Sequence, residues 1–180
     1  MKKRTTMLAL LLATGAGTCL QAQEKLTQFK VRDAITVRTP IMNDSINPKG
    51  EKYADKDLLK TPVVLDLADA PFQVLSTDTA GVLSFPKAEK DHSIYLLETS
   101  LRAERFMTGK LKVTSPARWE IFINGESKMS KENAEDSISG ASTREVNLRL
   151  EPEADYEITI KLLSGSKDKA VPTCLLYTSD

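Results

Sequence analysis

The sequence predicts an all-β protein, an antiparallel β-sandwich with an extended N-terminal lead-in. Between residues 62 and 163, short apolar segments recur about every eight to twelve positions, separated by turn-forming residues. In most of these segments apolar and polar residues alternate, which is the period of a strand with one buried and one exposed face. Together the two observations indicate about eight strands in this region.

The chain begins with the pattern of a secretory signal peptide. Three basic residues at 2–4 precede an apolar run of about ten residues, and small and polar residues follow up to Ala22. The run is too short to span a bilayer as a helix, so we expect cleavage after Ala22 or Gln23 and an exported protein, periplasmic or extracellular. A lipid anchor on Cys19 is the alternative, although the preceding threonine is not the small residue that a lipoprotein signal places there.

Four parts are predicted along the chain: the signal at 1–22, the lead-in at 23–61, the β-sandwich at 62–164, and a linker with a terminal tail at 165–180. Cleavage removes three of the 25 basic residues and none of the 25 acidic ones, which leaves a net charge of about −3. This balance argues against a nucleic-acid partner, because nucleic-acid binders normally carry a basic excess. No later segment reaches membrane-spanning length.

The individual elements follow from local patterns. In the lead-in we expect short strands near 29–37 and one or two helical turns at 54–59. Further strands are predicted at 63–67, 72–75, 81–85, 94–97, 110–114, 119–123, 146–150 and 156–162. The polar segment 131–138 is predicted as a loop excursion rather than a helix.

Two turns are predicted. Asn124 and Gly125 accept the positive φ angles of a type I′ hairpin turn, so the chain should reverse after the strand at 119–123. The polar residues 151–155 predict a second hairpin, between the strands at 146–150 and 156–162.

The last seven residues, 174–180, are predicted to be non-native. They resemble the translated read-through of an adapter used in DNA library preparation, which would make the chain the N-terminal fragment of a longer protein. A genuine final strand is the alternative. Because Cys19 leaves with the signal and Cys174 lies near the end, no internal disulfide is expected, and stability must come from packing.

Catalytic motifs are absent from the sequence. The single histidine, His92, lies in a polar stretch and is predicted to be a solvated loop residue. There is no nucleophile elbow, no phosphate-binding glycine loop and no Cys or His cluster with zinc spacing, so no catalytic residue, metal or cofactor is predicted. Glu132, Glu135 and Asp136 are predicted to form a solvated charged loop, with a glycosidase carboxylate pair or a calcium site as alternatives.

Trp119 and Asn124 are the candidate ligand contacts. An exposed tryptophan in a secreted β-sandwich could stack on a sugar ring. However, Trp119 alternates with Ile121 and Ile123, and this pattern favours a place in the core.

The stretch 95–128, with its apolar face at Trp119, Ile121 and Ile123 and its Asn124-Gly125 turn, resembles the galactose-binding-like jelly roll of secreted hydrolases. The signal ending "QAQ" and the lead-in "NPKGEKYADKDLLKTPV" resemble the N-terminal regions of exported Bacteroidetes proteins. Some of those continue into a Tol-like β-propeller and a prolyl-oligopeptidase-type serine peptidase of family S9. The resemblance covers about 100 residues and includes none of the peptidase's catalytic motif.

The resemblance implies a non-catalytic N-terminal module of an exported multidomain hydrolase, with the downstream domains of the same chain as its partners. A carbohydrate-, peptide- or surface-binding module and a structural envelope domain are the alternatives. Three tripeptides also resemble the Asp-Ser/Thr-aliphatic sequon of Bacteroidetes O-glycosylation. The resemblance implies Ser45, Thr79 and Ser137 as the modified residues.

Overall fold

The computed structural model describes residues 24–32, 35–37, 46, 49–51, 54–60, 72–87 and 92–179, and these form two packed antiparallel β-sheets. The predicted all-β antiparallel sandwich is therefore confirmed. No helix in these ranges is long and apolar enough to cross a membrane.

The strands follow one another in the order β1 (Glu24–Lys25), β2 (Gln28–Arg32), β3 (Ile35–Val37), β4 (Phe72–Ser76), β5 (Val82–Ser84), β6 (His92–Arg102), β7 (Met107–Thr114), β8 (Arg118–Ile123), β9 (Glu126–Lys131), β10 (Thr143–Leu150), β11 (Asp155–Gly165) and β12 (Thr173–Ser179). One short helix, α1 (Asp55–Leu59), lies between β3 and β4 at the predicted position. The predicted strand at 63–67 lies outside the described residues.

The strands divide between two sheets. Sheet A has the order β1-β12-β7-β10, and β5 also pairs with β12. Sheet B has the order β4-β2-β6-β11-β8-β9, and β3 also pairs with β6.

The core lies between the two sheets and is built from the inward-facing residues of strands in which buried and less buried positions alternate. In sheet B, Trp119, Ile121 and Leu162 are each 0% exposed, and Trp119 lies opposite Leu162 in the ladder. Sheet A contributes Leu111 and Val113, which are also fully buried. The prediction that Trp119 belongs to the core is confirmed.

The β8–β9 hairpin has the predicted turn. Asn124 has φ 51° and Gly125 has φ 77°, which are the positive angles of a type I′ turn. The two-residue loop leaves Ile123 opposite Glu126.

The second predicted hairpin is wrong. β10 pairs with β7 in sheet A, whereas β11 pairs with β6 and β8 in sheet B, so residues 151–154 cross from one sheet to the other. Alternation shows that a strand has one buried face, but it does not identify the partner strand. Here β7 offers β10 a continuous register, from Thr143 opposite Thr114 to Leu150 opposite Met107.

Two of the described strands of the lead-in, β2 and β3, lie within sheet B. β2 lies inside sheet B between β4 and β6, with Phe29 and Val31 buried in the core. Helix α1 covers part of the outer face of the same sheet. Its Leu58 and Leu59 are buried in one cluster with Leu163 and two residues of β6.

The C-terminal segment also lies within a sheet, although it was predicted to follow the sandwich. β12 pairs with β7 along one edge and with β1 and β5 along the other, so it is an inner strand of sheet A. Cys174 and Leu176 are buried, and Leu175 between them is only partly exposed. This is the alternation of a half-buried strand. The non-native origin of residues 174–180 remains a prediction.

Candidate functional site

His92 is the first residue of β6 and not the solvated loop residue that was predicted. Its side chain is 17% exposed, and its Nε2 lies 3.0 Å from Oδ1 of Asp55 at the start of α1. The register places His92 opposite Gly165, where the absence of a side chain leaves room for the imidazole ring.

Arg118 joins this pair to the loop between β11 and β12. Its guanidinium contacts the Asp55 carboxylate, and a second nitrogen lies 2.9 Å from both carboxylate oxygens of Asp168. Asp168 also accepts a hydrogen bond from the Gly165 N–H at 2.8 Å. The charged groups of this cluster therefore bind one another, and they hold α1 and the loop against sheet B.

The three acidic residues that the sequence places close together, Glu132, Glu135 and Asp136, do not form one site. Glu132 lies 3.0 Å from Lys60, Glu135 lies 2.7 Å from Lys131, and Asp136 lies 2.8 Å from a third lysine, Lys169. Each carboxylate thus has a different cation as its partner. In the part of the chain that the structure describes, no group of three or more His, Cys, Asp or Glu side chains could hold a metal ion.

Lys131 is buried, and it donates to the carbonyl oxygens of Ser115 at 2.6 Å and Ala117 at 3.2 Å. Burial lowers the pKa of Lys131, against the opposing effect of Glu135. Burial acts to raise the pKa of Glu135, but hydrogen bonds from Lys131 and Ser142 outweigh it and hold that pKa below its ordinary value. This pair fastens the loop after β9 to the turn before β8.

Cys174 has no reactive character. It is a free thiol, buried inside sheet A, and burial raises its pKa to about 12. The thiolate is the nucleophilic form, so Cys174 is unsuited to catalysis at neutral pH.

An open groove of about 1060 Å³ lies at one end of sheet B and is the candidate binding site. Its walls come from the residues around β2, from the middle of β6, from the start of β11 and from the β8–β9 turn. They comprise Leu26, Thr27, Gln28, Phe29, Lys30, Val74, Glu98, Thr99, Ser100, Asn124, Asp155 and Glu157.

The structure separates the two predicted ligand contacts. Asn124 lines the groove, whereas Trp119 is fully buried and cannot reach a surface ligand. Of the predicted glycosylation sites, Thr79 and Ser137 are exposed and lie outside regular strands, and Ser45 lies outside the described residues. Their modification remains a prediction.

The groove opens because β2 leaves β6. The two strands pair only at Lys30 with Glu98 and at Val31 with Leu97. Upstream of this point the chain crosses to sheet A, where the Leu26 N–H donates to the carbonyl of Leu176 at 3.1 Å. β6 continues beside β11 as far as Arg102, so its edge towards β2 has no strand partner among the described residues after Glu98.

This edge presents main-chain groups of Ser100 to the groove. The Asn124 N–H donates to the Glu157 carbonyl at 2.8 Å, and the Glu157 N–H donates to Asn124 Oδ1 at 2.8 Å. Both polar main-chain groups of Glu157 therefore point away from β6. Ser100 lies opposite Glu157, and in such a non-hydrogen-bonded antiparallel pair both residues direct N–H and C=O away from each other. The N–H and C=O of Ser100 consequently face the side that β2 has left.

Where the main-chain pairing of β2 with β6 stops, a side-chain hydrogen bond links the two strands. The hydroxyl of Thr99 donates to the carbonyl of Gln28 at 3.2 Å. This contact closes the gap between the two strands from the core side, and the groove remains open above it.

The rim of the groove combines charged and apolar groups. Lys30 Nζ lies 5.3 Å from the ring centre of Phe72, and Glu98 pairs with Arg32 at 3.0 Å. On β4, Phe72 is 48% exposed and Val74 is 63% exposed. Val74 lines the groove, whereas Phe72 lies two residues earlier on the same strand and is not part of the lining.

No protein-family model matches the chain, and a search of curated proteins found no match. Among solved structures, the β-glucosidase from Kluyveromyces marxianus in complex with glucose matches 84% of this chain at 6% identity and a TM-score of 0.47. The chain spans only 16% of that enzyme. The PA14 sugar-binding domain from an RTX adhesin matches at 11% identity and a TM-score of 0.43, covering 83% of this chain and 88% of that domain. A family 35 carbohydrate-binding module from Clostridium thermocellum matches at 11% identity and a TM-score of 0.36, covering 54% of this chain and 86% of the module.

Proposed function

We propose that this β-sandwich is a non-catalytic module that binds a carbohydrate in the groove of sheet B. The observation that carries the proposal is the N–H and C=O of Ser100, which face an open polar groove instead of a strand. Sugar hydroxyls both donate and accept hydrogen bonds, so a neighbouring donor and acceptor suit them. Val74 is 63% exposed in the groove lining and offers apolar surface for the C–H groups of a sugar ring.

A peptide strand fits the same place less well. A strand inserted between β2 and β6 would need about 4.8 Å to each neighbour. The contact of Thr99 Oγ1 with the Gln28 carbonyl at 3.2 Å already bridges the two strands. A hydroxyl group is small enough to approach Ser100 from the open side without separating them.

The surroundings of Glu98, Asp155, His92 and Cys174 support a non-catalytic role, and Glu157 is the groove carboxylate without an ion-pair partner among the described residues. In the groove wall, Glu98 is paired with Arg32, and Asp155 lies 3.6 Å from Arg102. Outside the groove, His92 Nε2 contacts Asp55 while its other ring nitrogen, Nδ1, is buried, and Cys174 is buried as well, so neither side chain reaches a surface substrate as a base or nucleophile.

A glycan array tests the proposal with two matched variants. Gln28→Trp places a bulky side chain in the groove, and Asn147→Trp makes the same exchange at an exposed position of β10 in sheet A. We expect the unmodified protein and Asn147→Trp to retain the same glycans and Gln28→Trp to lose them, with equal melting temperatures for all three. Absence of any bound glycan, or undiminished binding by Gln28→Trp, would contradict a carbohydrate site in this groove.

We further propose that the module belongs to an exported multidomain hydrolase, with an S9-type serine peptidase as the parent enzyme. The signal peptide and the resemblance of the lead-in support this assignment. Sequencing the genomic locus beyond codon 173 is the test, and we expect an open frame that continues into a catalytic domain. A native stop codon directly after codon 180 would overturn it.

A further inference from the structure

We infer that the groove selects neutral glycans with two adjacent free hydroxyl groups, and that this pair of hydroxyls docks on the main chain of Ser100. The inference rests on the proposed carbohydrate-binding function and specifies the ligand class and the docking point.

The docking point is a donor and an acceptor on the same side of one strand. Ser100 directs its N–H and C=O together towards the groove, because Glu157 opposite directs both of its groups to Asn124. One sugar hydroxyl can accept from the N–H while its neighbour donates to the C=O. A sugar with one of these hydroxyls substituted or missing would leave a main-chain group unpaired, which carries a free-energy penalty.

Asn124 adds a second donor beside this pair. Its Oδ1 accepts from the Glu157 N–H, and this contact fixes the amide orientation and leaves Nδ2 as the group available for a ligand. The positive φ of the turn holds Asn124 at the groove wall. The carboxylate of Glu157 belongs to the same row across the sheet and supplies a strong acceptor for a hydroxyl.

The charges of the groove select against anionic glycans. Three carboxylates line it, those of Glu98, Asp155 and Glu157, against the single cation of Lys30. Glu98 is paired with Arg32 and Asp155 lies near Arg102, whereas Glu157 has no ion-pair partner among the described residues. A uronate would therefore approach an unpaired carboxylate, and like charges at short range oppose binding.

Isothermal titration calorimetry with neutral tetrasaccharides of glucose, mannose, galactose and xylose, and with tetragalacturonate, tests the inference. Ser100→Pro removes the groove-facing N–H and leaves the bonds between β6 and β11, to which that N–H does not contribute. Ser100→Ala is the matched control because it keeps the main chain intact. We expect Ser100→Pro to bind a neutral glycan about tenfold more weakly, the equivalent of one lost hydrogen bond, and Ser100→Ala to bind it within about twofold of the unmodified protein.

Two further variants keep the inference testable if Ser100→Pro does not fold. Asn124→Asp retains the oxygen that caps Glu157 but removes the Nδ2 donor, and we expect about fivefold weaker binding of the neutral glycan. Glu157→Gln removes the unpaired charge and should improve binding of tetragalacturonate relative to the neutral glycans.

The outcomes separate the inference from the proposed function. Glycan binding that is unaffected by these changes at Ser100, Asn124 and Glu157, or that is tighter for tetragalacturonate than for every neutral tetrasaccharide, overturns the inference and leaves carbohydrate binding intact. Failure to bind any glycan on the array or in the calorimeter overturns both.

Discussion

Replacing Trp119 with alanine is expected to be among the most damaging single changes to this sandwich. The side chain is 0% exposed and lies in the inward face of β8, opposite Leu162 of β11, which is also 0% exposed. Truncation to alanine removes the largest side chain of the core and leaves a cavity between the two sheets.

The expected loss is about 3 to 5 kcal/mol, the range for truncation of a buried large aromatic residue. A domain of this size has a free energy of unfolding of about 5 to 15 kcal/mol, so the variant would lose roughly a fifth or more of its stability. Trp119→Phe should cost less, about 1 to 2 kcal/mol. It keeps most of the ring, and it removes an Nε1–H that has no hydrogen-bond partner among the described residues.

Urea unfolding followed by far-UV circular dichroism measures these differences. Fluorescence is unsuitable because Trp119 is the only tryptophan. Phe106→Ala is the control, since Phe106 is 50% exposed and its truncation should change the free energy of unfolding by less than about 1 kcal/mol. An unchanged midpoint and slope for Trp119→Ala would mean that the side chain is not in the core, and the argument for the sandwich interior would fail.

Three other measurements address the polar clusters and the thiol. Arg118→Met should destabilise the domain by about 2 to 3 kcal/mol in thermal unfolding, because the partly buried carboxylates of Asp55 and Asp168 lose the guanidinium that they share. Unchanged stability would mean that these ion pairs do not hold α1 against sheet B. Glu135→Gln should make the free energy of unfolding fall less steeply as the pH is lowered. The ionised Glu135 stabilises the fold above its ordinary pKa of 4.5, and this contribution disappears as the pH drops through the lowered pKa of the folded state. Parallel stability profiles for the variant and the unmodified protein would contradict this. In a Cys19→Ser background, Cys174 should resist a thiol reagent at pH 8 until urea unfolds the chain; rapid labelling of the native protein would show that β12 is not an inner strand.

Local patterns in the sequence predict the strands well. In β8, the buried positions Trp119, Ile121 and Ile123 alternate with partly exposed ones, and the period of two is visible without knowledge of any partner. The β8–β9 turn is equally local, because Asn124 and Gly125 carry the conformational preference themselves.

Strand partners could not be predicted in the same way. β10 and β11 both alternate and are joined by a short polar segment, which is also what a hairpin requires. Their assignment to different sheets depends on the partners that β7, β6 and β8 provide. A strand at 174–180 was only the alternative prediction, although Cys174 and Leu176 alternate with less buried residues, because the apolar segment was interpreted by its resemblance to an adapter.

The candidate site was predictable only in part. Asn124 was identified through its turn, and it does line the groove. Ser100 carries no sequence signal, since its role depends on main-chain groups that become available only where β2 departs from β6. The sequence predicts a strand that contains Phe72, but it does not predict that Phe72 is exposed beside Lys30. This exposure arises because β4 is an edge strand, and β2 is its single partner among the described strands.

The inner position of β12 also determines the order in which the protein can fold. Every strand pair of sheet A joins segments that are not consecutive along the chain, and the β8–β9 hairpin is the only consecutive pair among the described strands. Closing such distant contacts costs chain entropy before any burial compensates for it. A growing chain that still lacks Thr173–Ser179 has no strand to connect β1 and β5 with β7. The pairing of β1 and β5 into sheet A therefore forms only after almost the entire described chain has been synthesised, whereas the β7–β10 pair does not depend on β12.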